Sequence, residues 1–138
     1  MRSAVSVALL FLPVSAAASA APPVAGDWVI EDKSALISIR PCGPSVCGRI
    51  ARALIRKPGH PSTDVHNPDP ALRKRPLIGL EILSGFVARA DRWDGGRIYD
   101  PESGKTYRSV LRLNPDGSLK VSGCVLFICQ SQRWTRAR

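Results

Sequence analysis

Four cysteines, two histidines and a cluster of turn carboxylates are the residues here whose types could do chemistry. Cys42 with Cys47, and Cys124 with Cys129, each form a C-x-x-x-x-C pair. Zinc and redox motifs favour closer spacings, whereas an even cysteine count in an exported chain argues for disulfides. Three connectivities exist. Cys42–Cys47 with Cys124–Cys129 is the favoured one, because the first pair can face across a hairpin at a separation a disulfide accepts. A Cys42–Cys124 bridge would close about 80 residues and stabilise by roughly 4.5 kcal/mol, against roughly 2 for each short loop. The sequence does not decide between them.

His60 and His66 sit in no recognisable motif and read as solvated loop residues. Asp91, Asp94, Asp100 and Glu102 gather around Trp93, which raises a glycosidase-like pair of carboxylates. Their positions suit exposed turns better, with Asp100 capping the turn at Pro101. No nucleophile elbow, zinc-protease helix, calcium loop or phosphate loop is present. The chain therefore reads as non-enzymatic, with no metal and no cofactor.

The elements that position these residues are strands. Between Arg92 and Cys124 the turns Pro101-Glu102-Ser103-Gly104 and Asn114-Pro115-Asp116-Gly117 separate alternating segments. Tyr107, Ser109, Leu111 and Leu113 fall on one face, Arg108, Val110 and Arg112 on the other. A meander with one apolar and one basic face must curl or be covered. Upstream, Gly26-Asp27-Trp28 opens a first strand, and Ala35, Ile37 and Ile39 mark a second ending at Pro41-Cys42. A third runs from Cys47 through Ile50. Leu77–Leu83 and Phe86–Trp93 read as strands broken at Ser84-Gly85, and Gly95-Gly96 permits a turn or bulge before Ile98-Tyr99. Residues 130–138 supply Trp134 and Arg136 to pair with the first strand. The expectation is an all-β fold, a single antiparallel barrel of eight or nine strands, since closure removes exposed edges.

Residues 56–76 break the pattern. They are rich in proline and polar side chains, with Asp64, Asn67 and Asp69 as turn formers and Ala71–Lys74 as one helical turn. So long an irregular stretch reads as a lid over the barrel mouth or as a surface excursion.

Met1-Arg2, an apolar run over Ala4–Val14 and Ala18-Ser19-Ala20 form a secretory leader, cleaved after Ala20. The apolar run is shorter than the about 20 residues that span a bilayer. Residues 21–138 are then one domain, periplasmic or secreted. The net charge of +9 includes Arg2 and is otherwise dispersed, with Arg73-Lys74-Arg75 the one run. A solvated outer face accounts for it; attraction to an anionic envelope component is the sharper reading. Nucleic acid is not implied, because no binding motif accompanies the charge.

Several segments in order resemble a known family. They are Gly26-x-Trp28, Ile39-x-x-Cys42, Cys47-Gly48-x-Ile50, Asp64-x-x-Asn67-Pro68, Pro76-Leu77-x-Gly79, Trp93-x-Gly95-Gly96-x-Ile98-Tyr99-Asp100-Pro101, Gly104-Lys105-x-Tyr107, Gly123-Cys124 and Gln132-x-Trp134-x-Arg136. Together they resemble a secreted bacterial domain-of-unknown-function family with a lipocalin-like β-barrel. The resemblance implies fold and compartment, and brings no catalytic residues.

The functional expectation is non-catalytic binding of a small apolar or amphipathic molecule. Trp28, Asp64, Asn67, Trp93, Tyr99 and Tyr107 are the candidates for the barrel interior or mouth. The alternative is an envelope interaction or structural module using the basic outer face. The sequence sets no oligomeric state.

Overall fold

Alternating apolar and polar residues punctuated by turn chemistry produce eight strands in chain order. They are β1 (Gly26–Val29), β2 (Ala35–Cys42), β3 (Ser45–Ala53), β4 (Glu81–Ala88), β5 (Trp93–Asp100), β6 (Lys105–Leu113), β7 (Leu119–Val125) and β8 (Ile128–Arg136). The structure, a computed structural model, describes residues 12–13 and 23–138. The proposed cleavage site after Ala20 lies outside the described residues. Each strand pairs antiparallel with the next, and β8 returns to β1 through Trp28 opposite Arg136 and Val29 opposite Thr135. The barrel is closed.

Directly opposed residues share a face, so register defines the interior. Leu113 faces Leu119, Leu111 faces Val121 and Ser109 faces Gly123. Leu119 in turn faces Trp134, and Trp28 faces Ile37. Trp28, Trp134, Phe86, Ile39, Leu83 and Leu111 are all essentially fully buried. Side chains, rather than a lumen, fill this part of the barrel. The outer wall instead carries solvated ion pairs, among them Arg40–Asp27, Arg49–Glu81 and Arg112–Asp91.

One close approach fixes a residue type. A Cβ built on Gly96 would collide with the Phe86 ring. Gly96→Ala therefore overpacks the core, and we expect a loss of about 1–3 kcal/mol in urea unfolding. An unchanged midpoint would contradict this packing.

The boundaries depart from expectation in the middle of the chain. Leu77–Leu80 is a turn, not strand: the Leu80 N–H donates to the Leu77 carbonyl, and the Gly79 N–H donates to the Ile50 carbonyl. Nor do Ser84-Gly85 break the strand, because Ser84 pairs with Arg97 inside the sheet. The chain instead reverses at 89–92, where the Arg89 N–H donates to the Arg92 carbonyl. Gly95-Gly96 form the expected irregularity, a register shift between Trp93 and Gly96. The helical turn is a short 3₁₀ turn at Pro70–Leu72, capped by the Asp69 side chain.

Both short disulfides form, Cys42–Cys47 and Cys124–Cys129. Each bridges directly opposed or near-opposed ends of a hairpin, with Cα separations of 5.8 and 4.0 Å. Odd-numbered strands all end at one rim, so the connections 30–34, 54–80, 101–104 and 126–127 gather there. We call this the upper rim. No helix among the described residues is long and apolar enough to cross a membrane.

Candidate functional site

The irregular segment 56–76 is fastened to the barrel through its residues 64–75. It lies along the outer wall near the upper rim, over β4, β5 and β6. The reason is parity on β5. Gly96 faces inward against Phe86, so Ile98 also faces inward and Arg97 and Tyr99 face out. The segment's two buried polar residues, Asp64 and Asn67, meet the outward Tyr99 hydroxyl.

Asp64 is the centre of this contact, with a side chain 0% exposed. Its Oδ1 accepts from the Tyr99 hydroxyl at 2.6 Å. Its Oδ2 accepts from Asn67 Nδ2 at 2.8 Å and from Arg75 Nε at 2.8 Å, and Arg75 Nη2 also lies at 2.8 Å. Burial opposes the charge, but the hydrogen bonds from Tyr99, Asn67 and Arg75 outweigh it and hold the carboxyl below its ordinary value. Burial and the neighbouring carboxylate push the Tyr99 phenol up, so it stays a donor. Local structure adds to the clamp. The Asp64 N–H donates to the Arg75 carbonyl, and the Leu77 N–H to the Ser62 carbonyl. Arg73 Nε donates to the Asn67 carbonyl at 2.7 Å.

The β5–β6 turn receives the segment. Gly104, at φ +71°, would place a Cβ against the His66 carbonyl oxygen, so only glycine allows this approach. Segments that carried the sequence resemblance, Asp64-x-x-Asn67-Pro68, Ile98-Tyr99-Asp100 and Gly104-Lys105, thus converge on one patch.

Beside the clamp is a pocket of about 300 Å³, whose walls include Asn67, Arg75, Ser84, Arg97, Tyr99 and Thr106. A second hollow of about 480 Å³ shares Arg75 and Glu81 with it and adds Pro76, Ile78 and Leu80. The two adjoin at Arg75 and Glu81; the first adds Arg97 and the hydroxyls of Ser84, Tyr99 and Thr106, and the second adds Arg49 beside Pro76, Ile78 and Leu80. Arg75 is committed to Asp64 and Glu81 to Arg49. The Arg97 guanidinium makes no hydrogen bond or ion pair among the described residues, and Arg97 faces Arg108 directly across the sheet. Like charges directly opposed are unfavourable, and an anion between them would relieve the repulsion.

Of the sequence candidates, Trp28 is in the core and Trp93 and Tyr107 are half-buried on or beside it. Asp64, Asn67 and Tyr99 belong to the outer-wall clamp instead. The carboxylates considered as a pair are split between the two rims. Asp94 caps Gly95 and pairs with Arg92 at one rim, while Asp100 caps Glu102 and Ser103 at the other. His60 and His66 are exposed. Arg75 was named only as part of a basic run and Ser84 only as a strand break, and Arg97 and Thr106 not at all; the outward parity of Arg97 and Tyr99 on one strand is the signal that marks Arg97. Inside the barrel, Ser109 Oγ is buried without a hydrogen-bond partner among the described residues.

This architecture defines the class: a closed, eight-stranded, lipocalin-like barrel. A Helicobacter pylori protein, HP1028, described as belonging to the lipocalin family, superposes with a TM-score of 0.75 at 21% identity, covering 84% of each chain. More particularly, the chain belongs to the family described as "Uncharacterized protein conserved in bacteria (DUF2147)", whose profile matches residues 26–136. No curated protein sequence matches it.

Proposed function

We propose that the protein is a non-catalytic, exported binding protein for a small amphipathic molecule with an anionic head. The head would occupy the pocket at Arg97 and the apolar part the hollow at Ile78. The observation that carries this reading is Arg97 itself: an unpaired guanidinium in a pocket wall, opposed by a second arginine and flanked by Thr106 and the clamped Tyr99. The lipocalin-like fold supports small-molecule binding in general, and the two disulfides suit an oxidising compartment such as the periplasm. The tightly filled core favours the wall over the barrel centre as the binding place.

Titration calorimetry with dodecyl phosphate below its micellar concentration tests this, with dodecyl maltoside as an uncharged control. The phosphate should bind and the maltoside should not. Arg97→Gln removes one charge-assisted contact and should weaken binding about tenfold. Binding indifferent to Arg97→Gln would sink the proposal. Sensitivity to Ser109→Leu instead would move the ligand into the barrel.

A further inference from the structure

The turn between β7 and β8 is built unlike the others. The turns at 101–104 and 114–117 present Pro, Glu, Ser, Asn, Asp and Gly to water. This one presents Val125, Leu126, Phe127 and Ile128, which are 57%, 77%, 100% and 75% exposed. Val125 pairs with Ile128, leaving a two-residue loop of Leu126 and Phe127. Such loops favour Asn-Gly because they need positive φ. Here Leu126 takes φ 53°, a left-handed conformation that side-chain-bearing residues rarely adopt. The tip is nonetheless held rigidly. Cys124–Cys129 closes it from below, and Arg108 Nη2 donates to the Leu126 carbonyl at 2.8 Å. Four apolar side chains are thus kept in water on a strained, stapled turn.

What surrounds the tip indicates the partner. On the outer face, Arg108 lies opposite Cys124, which lies opposite Cys129, so a guanidinium group adjoins the staple. The tip belongs to the upper rim, and so does connection 54–80. Across the barrel from the tip, that connection brings exposed Leu54 and Ile55 to the same rim, together with Arg56, Lys57, Arg73 and Lys74, Arg75 being paired with Asp64. Within the barrel domain, the exposed large apolar residues concentrate at this rim, with Val87 the exception. A two-residue loop is too small for a stable protein interface, which needs about 1,000 Å² or more. It is large enough to enter the headgroup region of a bilayer, where a few apolar side chains and nearby cations act together.

We propose that the Val125–Ile128 tip inserts into the surface of an anionic lipid bilayer, docking the barrel by its upper rim. Apolar insertion supplies the depth and the flanking arginines and lysines the lipid preference. The proposal does not depend on the pocket at Arg97, and its test leaves that residue unchanged.

Vesicle flotation of the folded protein tests it, using equimolar phosphatidylglycerol and phosphatidylcholine against pure phosphatidylcholine. The protein should float with the anionic vesicles, less so as salt rises. Leu126→Ser/Phe127→Ser should reduce partitioning at least about tenfold, since two side chains no longer leave water. Its thermal midpoint should not fall, because both side chains are exposed in the fold. Failure of the unsubstituted protein to float with anionic vesicles overturns the proposal, as does flotation unaffected by the double substitution. A dimer in lipid-free solution that the double substitution dissolves would also overturn it, by making a second copy the occupant.

Discussion

Asp64→Ala should cost about 3 kcal/mol and release the segment around it from the barrel wall. The carboxylate is the shared acceptor for Tyr99, Asn67 and Arg75, so its loss leaves the first two donors without their acceptor in a buried site. Arg75 recovers part of the loss because its side chain is 35% exposed and can hydrate. That places the cost at the low end for a broken buried pair. The effect should be local first. The amide protons of Asp64, Asn67 and Leu77, which bond within or beside the segment, should exchange about 100-fold faster, while those of β6 and β7 change little. Exchange within threefold of the original protein would show that the clamp is incidental.

The same carboxylate gives an acid signature with a defined sign. Its value in the fold lies below the ordinary 3.8, so its stabilisation is fully present above that value. It is lost as pH falls through the lower folded value. Asp64→Asn keeps an acceptor for Tyr99 but has no charge to lose. The original protein should therefore lose its stability advantage over Asp64→Asn as pH falls from about 5 towards 2. Asp27, Asp32, Asp94 and Asp116 are also held low by their partners. They are present in both proteins, so the difference between the two curves isolates Asp64. Parallel curves across that range would refute the assignment.

Much of the barrel was legible because its information is local. Asn114-Pro115-Asp116-Gly117 states a turn, and Leu111 with Leu113 states a face. The hairpin spacing of Cys42 and Cys47 states a bridge that chain entropy alone would not have chosen. The site was less legible because its information is not local. Gly95-Gly96 shift the register of β5, so side-chain parity cannot be carried through them from Trp93 to Tyr99. Tyr99, a candidate for the interior or mouth, turns its hydroxyl to Asp64 on the outer wall. Nothing periodic in 56–76 states where that segment goes; its course is set by Asp64 meeting Tyr99, which lies 35 residues away in sequence. The run Val125–Ile128 misleads in the opposite way. Its composition suits a buried strand, and only the cysteine spacing, the same as at 42–47, marks it as a hairpin tip.

Trp28→Ala should be the most damaging single substitution considered, costing about 3–5 kcal/mol. The indole is wholly buried, donates through Nε1 to the Val24 carbonyl at 2.9 Å, and lies beneath the Arg136 guanidinium at 4.3 Å from the ring centroid. It also sits at the weakest join of the barrel. Among the described residues β1 meets β8 through two paired strand positions, Trp28 being one of them, with the Ala137 N–H donating to the Asp27 carbonyl beside them. Removing the ring leaves a cavity and withdraws the surface that Arg136 covers, so the closing seam loses packing on both sides. Trp28→Phe keeps most of the volume but neither the Nε1 donor nor the full ring, and should lose clearly less. Urea unfolding followed by circular dichroism measures both; a Trp28→Ala cost below about 1 kcal/mol would mean the seam is held elsewhere. The Asp64 clamp is carried by β5 and segment 56–76 and has no contact with Trp28 among the bonds described. The costs of Trp28→Ala and Asp64→Ala should therefore add to within about 0.5 kcal/mol in the double variant. Additivity would establish that closing the barrel and fastening the segment beside the pocket are separate tasks, assigned to separate residues.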